Sequence, residues 1–125
     1  LDFAYIDGDH TLRGITLDLI NVLPKIKEGA LLAGDDFAPN PWQHNIEFEP
    51  TLVCPFSVYF AEAMGIPIVA LPHNQFLIQK KQGVSFSFDD PTGKYSDLSL
   101  NKLPPQRIKR RTKNLFRRAE KKLGF

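Results

Sequence analysis

Two apolar runs, each ending in glycine and acids, constrain this chain more than any other feature. Leu1-Asp2-Phe3-Ala4-Tyr5-Ile6 runs into Asp7-Gly8-Asp9-His10, and Ala30-Leu31-Leu32-Ala33 runs into Gly34-Asp35-Asp36-Phe37. A short run that is apolar on both faces and stops at Asp-Gly reads as a buried parallel strand. Between the two runs, Ile15, Leu19, Val22 and Ile26 recur at helical spacing, while Arg13, Asp18 and Lys25 fall on other faces. His10 or Thr11 can cap this helix; Gly14 and Pro24 weaken it, and Lys25, Lys27 and Gly29 suit its C-terminal end. Strand, helix and strand in that order demand a parallel pair with a right-handed crossover, so both acidic runs emerge at the same edge of one sheet.

The pattern continues as an α/β sheet. Residues 38 to 50 contain Pro39, Pro41, Trp42, His44 and Pro50 and read as a long loop, a kind that is more often functional than idle. Val53, Phe56, Phe60 and Met64 predict a second amphipathic helix, with Pro55 tolerated near its first turn and Gly65 ending it. Ile66 to Leu71 and Gln75 to Lys80, joined by Pro72-His73-Asn74, predict two antiparallel strands. Alternating Val84, Phe86 and Phe88 allow an edge strand or loop over 83 to 101. The expected organisation is thus an α/β unit over 1 to 82, a loop or edge strand over 83 to 101, and a tail over 102 to 125. The sequence shows no internal repeat.

Charge separates that tail from the rest. Of 16 Lys and Arg in the chain, ten lie in residues 102 to 125 beside one acid, Glu120, a net charge of +9; residues 1 to 101 hold six bases and 13 acids, a net charge of −7. If helical, the tail places Ile108, Leu115, Ala119 and Leu123 on one side among its bases, a pattern that docks on an anionic surface or lies solvated against the acidic domain. It contains no zinc-finger spacing or RNP motif, so nucleic acid is not the expected partner. The chain has no run of about 18 apolar residues and no secretory leader pattern, and the single Cys54 reads as core, so a cytoplasmic location is expected.

Ligands of open α/β sheets bind outside the carboxyl ends of the strands. Asp7, Asp9, His10, Asp35 and Asp36 are all such residues. Carboxylates brought that close repel one another unless a cation or hydrogen-bond donors compensate, and a hard divalent ion such as Mg²⁺ is the simplest cation. Against this stands a plainer reading, in which Asp-Gly is a turn and Asp9 a helix cap. The imidazole of His10 is the side-chain type that exchanges a proton near neutrality, which suits a general base.

The same residues carry a family resemblance. Asp2 to His10, the helix with Asp18, and Lys27 to Phe37 resemble the fourth strand, following helix and fifth strand of class I S-adenosylmethionine-dependent methyltransferases. The group that includes macrolide (macrocin-type) and aminocoumarin sugar O-methyltransferases is the nearest, with catechol O-methyltransferase more distant. The resemblance covers residues 1 to 80 and implies the C-terminal half of a Rossmann-like, doubly wound sheet, with parallel strands, an antiparallel terminal strand and the basic helical tail. It implies O-methyl transfer to a small hydroxylated acceptor, with S-adenosylmethionine as cofactor and Mg²⁺ held by Asp7, Asp35 and Asp36. Asp9 or His10 would act as base, Asp7, Gly8 and Asp9 would touch the cofactor, and Trp42 and His44 would line the acceptor site. A glycine-rich loop after a first strand is absent, since Gly8, Gly29 and Gly34 form no Gly-x-Gly-x-x-Gly pattern. The chain alone is therefore expected to be a fragment that binds the cofactor poorly or not at all and is inactive by itself, the activity belonging to a longer parent that can be a homo-oligomer. A non-catalytic α/β binding module, recruited to an anionic surface by its tail, is the alternative from another class.

Overall fold

The structure, a computed structural model, describes residues 1–41 and 50–95. In chain order the elements are β1 (Phe3–Ile6), α1 (Leu12–Val22), a short 3-10 turn (Leu23–Lys25), β2 (Leu31–Gly34), α2 (Val53–Met64), β3 (Ile68–Leu71), β4 (Gln75–Gln79) and β5 (Phe88–Asp89). They form one five-stranded sheet in the order β1-β2-β4-β3-β5. β1 and β2 are parallel with Phe3 opposite Leu31 and Ile6 opposite Gly34, as a strand-helix-strand unit requires. β4 runs antiparallel to both β2 and β3, and β5 is parallel to β3.

The antiparallel strand is therefore not at the sheet's end. It is the return arm of the β3–β4 hairpin, inserted between β2 and β3, and this position buries Phe76 and Ile78 completely. Its three-residue turn, Pro72-His73-Asn74, holds both His73 and Asn74 at positive φ (62° and 56°), a left-handed conformation in which His and Asn are enriched. No helix among the described residues is long and apolar enough to cross a membrane.

The core lies on one face of the sheet. Ile6, Leu32, Phe76, Ile78, Ile68 and Ala70 point to Ile15, Leu19 and Leu23 of the first helical stretch and to Val53, Cys54, Val58 and Ala61 of α2. Cys54 is fully buried, and burial alone pushes its thiol up to about 12, so it behaves as an inert apolar side chain. The opposite face carries Phe3 and Tyr5, 54% and 46% exposed. β1 is thus an edge strand here, not the buried strand its composition predicts; among the described residues nothing pairs with its outer side or covers these two rings.

Two further expectations change for local reasons. The first helix ends at Val22 and tightens into the 3-10 turn at Pro24, because proline has no N–H to continue the α-helical ladder. Gly29, at φ 81°, instead turns the chain into β2, donating its N–H to the carbonyl of Lys80. In α2 the buried face is Val53, Cys54, Ser57, Val58 and Ala61, while Met64 is 53% exposed and Phe56 stacks on Phe60 at 6.1 Å with both rings only half-buried. Val53 is buried as expected and Phe56 and Phe60 pack against the core only in part, because small residues such as Ser57 and Ala61 are what let the helix lie close on the sheet. Gly65 ends α2 in a left-handed conformation, as predicted.

Residues 84 to 95 fold across the end of the sheet. Phe37, the residue after the second acidic pair, packs on Phe76 (5.3 Å), Phe88 (6.0 Å) and Tyr95 (5.1 Å), and its carbonyl accepts the Tyr95 hydroxyl proton. Burial is the first cause that raises the Tyr95 phenol above its ordinary value, so it stays a donor. Asp90 shapes the turn that delivers Tyr95, accepting from the backbone of Thr92, Gly93 and Tyr95.

Gly34 is the tightest point of this packing. A Cβ there would meet the Phe76 ring at 2.4 Å and the Ile6 carbonyl at 3.1 Å. Both belong to strands held in register, so neither can move away cheaply. Gly34→Ala is expected to destabilise the fold by about 1–3 kcal/mol through overpacking, seen as a lower midpoint in equilibrium urea unfolding; an unchanged midpoint would contradict this packing.

Candidate functional site

Strand pairing brings the two acidic runs together. With Ile6 opposite Gly34, the ladder extends one bond further, the Asp35 N–H donating to the Ile6 carbonyl at 2.9 Å. Asp7 and Asp35 therefore leave adjacent strands side by side. Asp36 follows at φ 57°, a left-handed conformation that short acidic side chains tolerate, and its N–H bonds the Asp35 carboxylate (Oδ1) at 2.8 Å. One Asp35 oxygen is thus turned back onto its own turn. Asp7 is exposed, while Asp35 and Asp36 are half-buried.

Asp9 is drawn into the helix start. Its two oxygens accept from the Thr11 N–H and the Thr11 hydroxyl, both at 2.9 Å, and Thr11 in turn caps α1 by accepting the Gly14 N–H at 3.2 Å. The Thr11 backbone bond first, then its hydroxyl, hold the Asp9 carboxyl below its ordinary value, with His10 and Arg13 adding attraction. Gly14 is needed for this closeness, since a Cβ would lie 2.3 Å from the Asp9 carbonyl. The glycine that weakens the helix in sequence is what lets its first turn sit on the acidic loop. Gly8 is crowded too: a Cβ would lie 3.0 Å from the Asp18 carboxylate on α1.

His10 is half-buried, and its carbonyl accepts the Leu52 N–H at 3.1 Å, tethering it to the start of α2. Trp42 and His44 lie outside the described residues, as does the basic tail over 102 to 125. Of the site residues read from the sequence, Asp7, Gly8, Asp9, His10, Asp35 and Asp36 thus share one edge. Among the described residues, however, no three His, Cys, Asp or Glu side chains gather closely enough to hold a metal ion. As placed, Asp7, Asp35 and Asp36 do not fit a metal centre.

The sequence reading passed over Tyr5. Its side chain shares a face with Gln75, two strands away, and the Gln75 amide donates to the Tyr5 hydroxyl at 3.0 Å. Desolvation first, then the charges of Asp35 and Asp7 and, more weakly, Asp36, raise the Tyr5 phenol above its ordinary value. Tyrosine in an apolar strand carries no mark of function; the i, i+2 spacing to Asp7 becomes informative only once β2 and β4 are placed beside β1. A concavity of about 230 Å³, lined by Pro72, His73, Pro91, Thr92 and Lys94, lies along the same edge at the hairpin turn. A larger one, about 430 Å³, sits at the opposite edge between Leu23, Met64, Ile66 and Val84, remote from the acids. There Lys80 is occupied, donating to the carbonyls of Leu23 and Ile26 at 3.0 and 2.7 Å.

A family described as a methyltransferase domain matches residues 1–37. That stretch is β1, α1 and β2 with both acidic runs, and it supports methyl transfer as the activity class and S-adenosylmethionine as the cofactor implied. No curated protein and no solved structure matches the chain.

The Asp9–Thr11 link makes a pH prediction. A carboxyl lowered on folding contributes stability that is present above its unfolded value, about 3.9, and is lost as pH falls through the lower folded value. Thr11→Ala should raise the Asp9 titration midpoint, followed by NMR, and cost about 1 kcal/mol from the lost cap. An unmoved midpoint would show that the hydroxyl bond contributes nothing to Asp9.

Proposed function

We propose that this chain supplies the acceptor side of an S-adenosylmethionine-dependent methyl transfer to the oxygen of a small hydroxylated molecule. The observation that supports this most is the coincidence of the methyltransferase-domain match with the strand-helix-strand unit whose register sets Asp7 beside Asp35. The cofactor supplies a methyl group on a sulfonium, already activated for displacement. What remains for the protein is to hold the acceptor oxygen in line and take its proton, a task of positioning and general base catalysis.

His10 is the base in this reading. Asp9, the other candidate, has both oxygens committed to Thr11 and a lowered proton affinity, so it orients the loop and attracts the imidazole instead. Asp7 and the backbone of Gly8 and Asp9 face the cofactor, and Asp7 and Asp35 receive hydrogen bonds from the acceptor. Metal assistance would require Asp35 to release the Asp36 N–H and converge with Asp7 and Asp36; every step assigned here uses the protein's own groups. Trp42 and His44 remain proposals for the acceptor pocket.

The chain contains no glycine-rich phosphate- or ribose-cradling turn, so its own cofactor affinity is weak. Calorimetric titration with S-adenosylmethionine should show dissociation weaker than micromolar; micromolar binding would overturn the fragment reading. In the longer parent, label from the cofactor's methyl group should pass to neutral hydroxylated acceptors. His10→Ala should slow that transfer about 100-fold or more, the usual range for a general base. Equal rates would remove His10 from the role, and no transfer to any acceptor would sink the reading.

A further inference from the structure

We infer that the hollow at the amino edge of the sheet, opposite the acids, binds an apolar ligand that carries a single carboxylate. Its volume of about 430 Å³ lies in the range of small-molecule sites. The end of the first helical stretch, the junction of α2 with β3 and the turn after β4 supply its walls. No residue of β1 lines it, and strands added beyond the open edge of β1 would be separated from it by β1 and β2. Leu23 and Ile66, 4% and 6% exposed, form its floor, while Met64 stands half-exposed at its mouth. An apolar body seated there takes Met64 and the partly exposed Val84 out of water.

The polar groups of the hollow decide what that body must carry. Two lysines and one glutamate line it, a net charge of +1. The Lys80 ammonium is held by the carbonyls of Leu23 and Ile26, and the Glu28 carboxylate accepts the Gln82 N–H, which ties down the turn. What remains toward a ligand is a set of donors. Among the described residues no acceptor takes the Lys81 ammonium or the successive N–H groups of Gly83 and Val84. Gly83 turns the chain at φ 75°, and successive amides of such a turn form a concave seat for an anion. A carboxylate, which only accepts and has several lone pairs, can take all three donors; an alcohol matches them in part and an ammonium not at all. The basic stretch 102 to 125 is a poor occupant, since its net charge of +9 meets lysines of the same sign.

Binding measured without cofactor tests this independently of methyl transfer. Octanoate, kept below its micellar range, is the probe, with 1-octanol and octylammonium as its neutral and cationic counterparts. Met64 is the chain's one methionine, so its labelled methyl signal in NMR reports the mouth directly. Octanoate should bind saturably and shift this signal together with the Gly83 and Val84 amides; octanol should bind at least tenfold more weakly and octylammonium not at all. Lys81 is exposed, so Lys81→Gln should keep the unfolding midpoint while weakening octanoate about 3- to 10-fold, between the worth of an exposed ion pair and that of a hydrogen bond to a charged group. Met64→Gln should weaken octanoate and octanol alike. No saturable shift with octanoate, equal affinity for octanoate and octanol, or octanoate affinity unchanged in Lys81→Gln would each overturn the inference. So would a Met64 shift that follows protein concentration instead of probe, which would assign the hollow to a second copy of the chain.

Discussion

The parallel pairing of β1 with β2, with Ile6 opposite Gly34, is the constraint on which the rest of the structure depends. It places the Asp7 and Asp35 turns side by side, and it does so through backbone bonds that no acidic side chain could supply by itself. The pairing survives close packing because position 34 has no side chain. Phe76 fills that space, Phe37 packs on Phe76, and Tyr95 closes over Phe37. A single glycine thus links the acidic edge to the aromatic cluster beneath it.

Crowding of like charge at that edge is handled locally. Asp9 is satisfied by Thr11 and the start of α1, and one oxygen of Asp35 by the N–H of Asp36. Donors from turns therefore do part of what a cation would do, and the carboxylates are spread along the edge instead of converging. The proposed division of labour follows from this asymmetry. The carboxylate that is fully committed orients its neighbours, and the groups left toward solvent are those available to a ligand.

Much of this was legible in the residues. Apolar runs ending in Asp-Gly and Gly-Asp-Asp, separated by helical periodicity, predict a parallel pair, and β1, α1 and β2 form one. Gly65 as the end of α2 and the β3–β4 hairpin are set by short-range rules of caps and turns, so they too could be read directly, and the same rules narrowed the cap of α1 to His10 or Thr11, of which Thr11 is the one used. The buried face of α2 could not, because Ser57 and Ala61 give no hydrophobic signal although closeness to the sheet selects them. Nor could the role of Gly14, which looks like a weak helix residue until Asp9 is seen 2.3 Å from its missing Cβ.

By itself the sequence determined which residues reach a strand end and which turns follow them, because those depend on backbone preferences of neighbours along the chain. Only the tertiary structure decided which ends are adjacent, that β4 lies between β2 and β3, and that Tyr5 and Gln75 meet. These are contacts between residues as many as 70 positions apart. Their existence depends on strand order, which is not encoded in a local pattern.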